Sequence, residues 1–174
     1  VKSIGLKVKE FGDDGIKQIN QELKIKSPKS FLVKNQEILK ASALLSDEDK
    51  NSILVAITNI KAHHEKQLDQ YRKAPQKNMN GIEIWQEFRA IRTIGIYVPG
   101  GTAPLVSSLL MQLIPATLAG CKNINICTPP QANGKIHPAI LWAAKQINPK
   151  VKIYKIGGAQ AIFAMSNGTK SIPR

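Results

Sequence analysis

Between residues 94 and 162 the chain runs repeatedly from a short apolar stretch, through a Gly- or Pro-rich turn, into an apolar helix-forming stretch. The first unit constrains the fold most. Ile94-Gly95-Ile96-Tyr97-Val98 reads as a strand and Pro99-Gly100-Gly101 as a turn. Pro104 then opens a helix to about Leu118, because the N–H it lacks has no intrahelical partner in a first turn. Gly120 is placed to end that helix, and Pro115 should kink or shorten it. In the second unit Asn123 to Cys127 meets Thr128-Pro129-Pro130, with a helix from about Ile136 to Ile147. In the third, Val151 to Ile156 meets Gly157-Gly158, with a helix starting near Ala159. Strands alternating with helices imply a parallel sheet with right-handed crossovers.

In such sheets ligands bind beyond the carboxyl ends of the strands, where the three turns lie. Bare glycine backbone at a helix N-terminus suits an anion such as a dinucleotide pyrophosphate. A tight strand-to-helix turn with no ligand satisfies the same residues. Neither glycine pair is GxGxxG, and no acidic residue follows about 20 positions later to hold a ribose. The pattern alone therefore supports a nucleotide- or phosphate-binding α/β half-domain.

The first 94 residues read differently. Ile4, Val8 and Phe11 form one apolar face, and Ile16, Ile19 and Leu23 a second, with Gly12-Asp13-Asp14-Gly15 breaking the helix between them. Asp13 or Asp14 is placed to cap the second piece. Ser27-Pro28-Lys29-Ser30 is a turn, Phe31-Leu32-Val33 a short strand or extended connection, and Gln36 to Ala43 a helix. Ser46-Asp47-Glu48-Asp49 opens the clearest helix, with Ser46 as N-cap and three acidic residues complementing the dipole. Ile53, Ile57, Ile60 and His64 recur along it, with Leu54 widening the face, to about Leu68. His63 and His64 do not form a metal pair, since adjacent helical side chains diverge by about 100°; one packs at the core edge and the other is solvated. A polar tract through Lys77-Asn78-Met79-Asn80-Gly81 leads to alternating residues, Gly81 to Arg89, that read as a strand in an outlying hairpin or connector.

Charge narrows the function. Of the formal net charge of +13, residues 1–96 carry 17 basic and 12 acidic side chains, and residues 97–174 carry 8 basic and none acidic. A carboxylate-free half cannot supply a carboxylate base, metal ligand or ribose clamp. Such a balance also raises a second reading, a stand-alone basic α/β module for nucleotides or nucleic acid. The cations are scattered, without Arg clusters or interleaved surface aromatics, which speaks against a nucleic-acid partner. Cys121 and Cys127 have neither CxxC nor metal spacing and read as apolar fillers in a reduced, cytoplasmic protein. No run reaches the roughly 18 to 20 apolar residues of a membrane span, and no signal-peptide pattern opens the chain.

The wording of IGIYVPGGTAPL (Ile94 to Leu105), AGCKNINICTPP (Ala119 to Pro130) and IGGAQAI (Ile156 to Ile162) resembles histidinol dehydrogenase. So do Val8 to Asp13 and the Asn59-Ile60 pair followed by His and Gln. The resemblance implies an oxidoreductase of histidine biosynthesis that takes L-histidinol through an aldehyde to L-histidine in two NAD-dependent oxidations. It implies a helix-rich segment over residues 1–94, part of a first domain, and an incomplete Rossmann-like cofactor domain over 95–174. It assigns NAD contacts to Tyr97 and Gln160. Core packing for Tyr97 and helix capping for Gln160 remain alternatives. The family's Zn²⁺ ligands and its acid–base Glu-His pair match no residue here, so neither catalytic nor metal residues are expected. Family members are homodimers. Val1 is not Met, and the family pattern continues past Arg174, so the expectation is an N-terminal fragment, catalytically inactive and free of zinc by itself.

Overall fold

The structure, a computed structural model, describes residues 1–71, 76–77, 80–100 and 104–174. Asn78 and Met79 of the expected connector, Gly101 of the expected first turn, and Thr102 and Ala103 after it lie outside the described residues.

Helix α1 (Lys2–Glu22) carries the expected break at Gly12, whose φ of 54° and ψ of −125° are open to glycine and costly for other residues. Neither aspartate caps the second piece. Asp14 instead takes a 2.7 Å bond from Lys17, and Asp13 accepts from the hydroxyl of Ser171 at 2.6 Å and its N–H at 3.4 Å. The break thus holds the returning end of the described chain. Asp13→Ala is expected to free residues 169–174, seen as faster amide exchange at Ser171 and Ile172 with little change elsewhere.

Phe31 to Val33 is extended and covers the edge of strand β5 (Lys152–Lys155). Val33 N–H donates to the Ile153 carbonyl at 2.8 Å, and Lys155 N–H to that of Phe31 at 2.7 Å. Helix α2 (Asn35–Ala41) and a single 3₁₀ turn follow, then α3 (Asp47–Tyr71). Ser46 caps α3 as expected: its Oγ accepts from Asp49 N–H at 3.0 Å and donates to the Asp49 carboxylate at 2.7 Å. Ser46→Ala should cost about 1 kcal/mol, measurable by chemical denaturation. Ile53, Ile57 and Ile60 pack on the core, whereas Leu54 is 42% exposed and does not extend the apolar face. His63 is exposed and His64 half-buried, its Nδ1 2.6 Å from the Gln67 amide oxygen.

The strand expected from Gly81 to Arg89 shrinks to β2 (Glu83–Ile84), paired antiparallel with β1 (Gln76–Lys77). Residues 85–91 have no regular structure. Alternation stabilises a strand by giving one face something to bury against. Ile84, Trp85 and Ile91 are all exposed, and no such surface exists among the described residues.

Strands β3 (Thr93–Tyr97), β4 (Asn123–Thr128) and β5 form the parallel sheet in that order. The two-residue period of the strands divides the core. Ile124, Ile126 and Ile153 face α2, α3, α4 (Val106–Leu118) and α5 (Pro138–Ile147). Cys127, Tyr154 and Ile156 face α1 and α6 (Gly158–Asn167), with Phe31. Helices from the first 94 residues therefore cover both faces of the sheet. α4 begins two residues after Pro104 and keeps Pro115 in its last turn. Beyond it Gly120, at φ 84°, closes the helix with its N–H on Thr117 and that of Cys121 on Ala116. Among the described residues no helix is long and apolar enough to cross a membrane.

Candidate functional site

The carboxyl ends of β3, β4 and β5 lead into turns that meet on Pro129. A Cβ added to Gly100 would come within 2.5 Å of the Pro129 Cγ, and one added to Gly157 within 2.5 Å of its Cβ. The bare faces of these two glycines therefore receive the Pro129 ring, while Gly100 and Gly157 each still line a cavity at these turns. Gly158 differs: its φ is 68°, and an added Cβ would meet the Gln160 Oε1 at 2.8 Å.

Tyr97 ends β3 half-buried, and its hydroxyl accepts from Gly158 N–H at 3.0 Å. Helix α6 has no side-chain cap of its own, since Gly157 is its N-cap. The hydroxyl thus satisfies one of the four orphan donors at that helix start. Gln112, on α4, donates to the Tyr97 carbonyl at 3.3 Å and fixes the strand end from the other side.

Gln160 is 3% exposed, and its Nε2 donates to the Asn20 Oδ1 at 3.4 Å. The Asn20 Nδ2 in turn donates to the Ser27 hydroxyl at 3.1 Å. Asn20 was not singled out in the sequence, although its position four residues after Ile16 puts it on the inward face of α1. Tyr97 and Gln160, 63 positions apart in sequence, thus meet at Gly158, one on its N–H and the other against its Cα.

Two cavities open here, and Pro129 and Pro130 wall both. One, of about 360 Å³, is lined by Asn20, Lys155, Gly157, Gly158 and Gln160 among others. The other, of about 320 Å³, lies over β3 and β4 with Thr128, Gln131 and His137. His137 was also passed over in the sequence. Its Nδ1 accepts from Ala139 N–H at 3.2 Å and caps α5, which leaves Nε2 as the protonated nitrogen of the neutral ring.

Lys155 is tied to Glu37 at 2.6 Å across the first cavity's edge, with both side chains largely shielded. Burial raises the Glu37 carboxyl, but the Lys155 bond, the Lys34 N–H and both lysine charges outweigh it and hold the group below its ordinary 4.5. A lowered carboxyl pKa stabilises the fold above the unfolded value and loses that contribution as pH falls through the folded one. Glu37→Gln should therefore flatten the acid limb of the stability–pH curve below about pH 4.5 while leaving its slope at neutral pH unchanged. Cys127 offers no nucleophile: burial pushes its thiol up to about 12. Both cysteines are unbridged, and Cys127 fills the core. Among the described residues no group of three or more His, Cys, Asp or Glu converges to hold a metal.

The model of the family described as Histidinol dehydrogenase matches residues 1–174. Histidinol dehydrogenase of Bacteroides thetaiotaomicron is 43% identical over 174 residues, covering all of this chain and 40% of that protein. The enzyme of Escherichia coli (strain K12) is 36% identical over 170 residues, covering 96% of this chain and 37% of that one. The crystal structure of histidinol dehydrogenase from Elizabethkingia anophelis superposes with a TM-score of 0.90 at 41% identity, over 99% of this chain and 39% of that one. The chain thus spans about 40% of the length of the relatives it matches.

Proposed function

The chain belongs to the histidinol dehydrogenase family, and on that premise we propose that it is the amino-terminal, cofactor-holding part of an enzyme oxidising L-histidinol to L-histidine in two NAD-dependent steps. The observation that carries the reading is the meeting of Tyr97 and Gln160 at Gly158, beside a cavity of about 360 Å³ and the N-terminus of α6. The donor set fits a dinucleotide. The helix start favours negative charge, the Gln160 amide lines the cavity beside it, and Tyr97 holds the Gly158 N–H that opens the helix. When bound, NAD supplies the hydride acceptor. The residues of this chain bind it, orient it and shield it from water.

Among the described residues no ligand set for zinc converges. Zinc, the acid–base pair and the substrate site belong to the remainder of the enzyme, which works as a cytoplasmic homodimer. Residues 1–94 form part of its first domain and residues 95–174 the beginning of its cofactor domain. The absence of any carboxylate from residues 97–174 agrees with this division of labour.

Titrating the 174-residue protein with NAD tests this. Saturable binding is expected, weakened about tenfold, or roughly 1.4 kcal/mol, by Tyr97→Phe. Absence of saturation, or equal affinity in the variant, overturns the cofactor assignment. Histidinol-dependent NADH formation by the 174 residues alone would overturn the division of labour.

A further inference from the structure

The two cavities at the carboxyl ends of the strands share a wall at Pro129 and Pro130 but differ in chemistry. The one over β3 and β4, of about 320 Å³, has apolar sides made by Pro99, Pro104, Pro129, Pro130, Ile136 and Ile140. No lysine, arginine or carboxylate among the described residues lines it. Its neighbour holds Lys26 and the Glu37-paired Lys155 beside the start of α6.

Two polar groups in the apolar cavity keep their hydrogen-bonding capacity free. Thr128 ends β4 two residues after Ile126, so its side chain shares that residue's face of the sheet, toward α4 and α5. It is 3% exposed, and its hydroxyl bonds to no other described residue. A buried hydroxyl left so is costly, and an occupant that pairs with it gains. His137 is the second group. Its Nδ1 accepts from Ala139 N–H at 3.2 Å, which fixes the ring and leaves Nε2–H as a donor without a partner among the described residues.

These features select the occupant. A phosphate would shed its water between proline and isoleucine walls with no cation to meet it. A flat, neutral ring buries its faces there and turns a polar edge to the two free groups. Of the two rings of NAD, the oxidised nicotinamide carries a positive charge. The cavity lies at the positive end of the α5 dipole, and residues 97–174 contain no carboxylate to offset a cation. Adenine is neutral and sets an amino donor beside a ring-nitrogen acceptor. Resting on the cofactor reading above, we propose that this cavity takes the adenine end of the dinucleotide. The Thr128 hydroxyl accepts from the amino group, and His137 Nε2–H donates to a ring nitrogen. The phosphates then lie toward Lys26, Lys155 and the start of α6.

The 174-residue protein is titrated separately with adenosine, nicotinamide riboside and NAD, and followed by amide NMR. Adenosine and NAD should give shared, saturable shifts at Thr128, His137 and Ala139, and nicotinamide riboside none there. Thr128→Val keeps the side-chain shape, and His137→Asn keeps a cap for Ala139 N–H while removing the ring donor. Each should weaken both adenosine and NAD about fivefold, the usual effect of one lost hydrogen bond. Tyr97→Phe, at the other cavity, should weaken NAD alone. Saturable NAD binding without shifts at Thr128 and His137, undiminished affinity in both variants, or nicotinamide riboside binding there as tightly as adenosine overturns the adenine assignment and leaves the cofactor reading standing. Adenosine binding at these residues without any binding of NAD does the reverse. If neither ligand binds, both fall.

Discussion

Replacing Gly157 by alanine is expected to destabilise the protein by about 1–3 kcal/mol, the usual cost of forcing a methyl into a packed site. The new Cβ would stand 2.5 Å from the Pro129 Cβ and 3.2 Å from its Cα, and neither ring nor backbone can swing away as a flexible chain end would. The diagnostic is a double-mutant cycle. Pro129→Gly removes the obstructing Cβ, so the pair Gly157→Ala/Pro129→Gly should recover part of the loss, a positive coupling confined to contacting residues. Purely additive losses in denaturant titrations would show that the wedge between the turns does not set the requirement for glycine. The same substitution moves the turn that carries the α6 N-terminus, so NAD affinity should fall with stability in the single variant and rise again in the double.

The larger stability effect is expected at Ile126→Ala, at about 2–5 kcal/mol. Ile126 lies on the central strand, is 0% exposed and belongs to the main core with Leu109, Leu113 and Ile153. A cavity there opens under α4 and α5 together, and strands on both sides prevent the backbone from closing it. Trp85→Ala removes a bigger side chain, yet Trp85 is 60% exposed, and its loss should fall within about 0.5 kcal/mol. Urea midpoints of the two variants decide this: comparable losses would mean that the exposed arm carries stability its burial does not account for.

The contrast between these sites follows the line between what was legible in the residues and what was not. Most local rules carry over from residues to structure, the expected Asp13 or Asp14 cap excepted, because Ser171 and Lys17 take those carboxylates. Ser46 caps α3, Gly120 ends α4 and Gly12 breaks α1, because each depends on hydrogen-bonding groups or backbone angles within a few positions. The three strand–turn–helix units likewise came from apolar spacing, and their parallel pairing follows from the alternation, whereas the order β3-β4-β5 is seen only in the fold. Leu54 and the stretch from Gly81 to Arg89 failed for a shared reason: a favourable period offers a face but does not provide a neighbour to bury it.

The candidate site divides in the same way. Tyr97 and Gln160 stood out through motif wording, and their meeting at Gly158 came only from folding two distant turns together. Asn20 carried a faint signal, its place on the apolar face of α1, but its partner on α6 is 140 residues away. Pro129 carried none. It looked like one more turn residue until the sheet brought Gly100 and Gly157 against its two sides. Spacing, turn chemistry and charge belong to the chain alone, and they were enough to place the main helices and the three parallel strands, the Ser46 cap and the absence of carboxylate from residues 97–174. Tertiary structure decided which face each helix covers, what the glycines press against and which residues share a cavity, because those depend on contacts between residues that only the packed sheet makes neighbours.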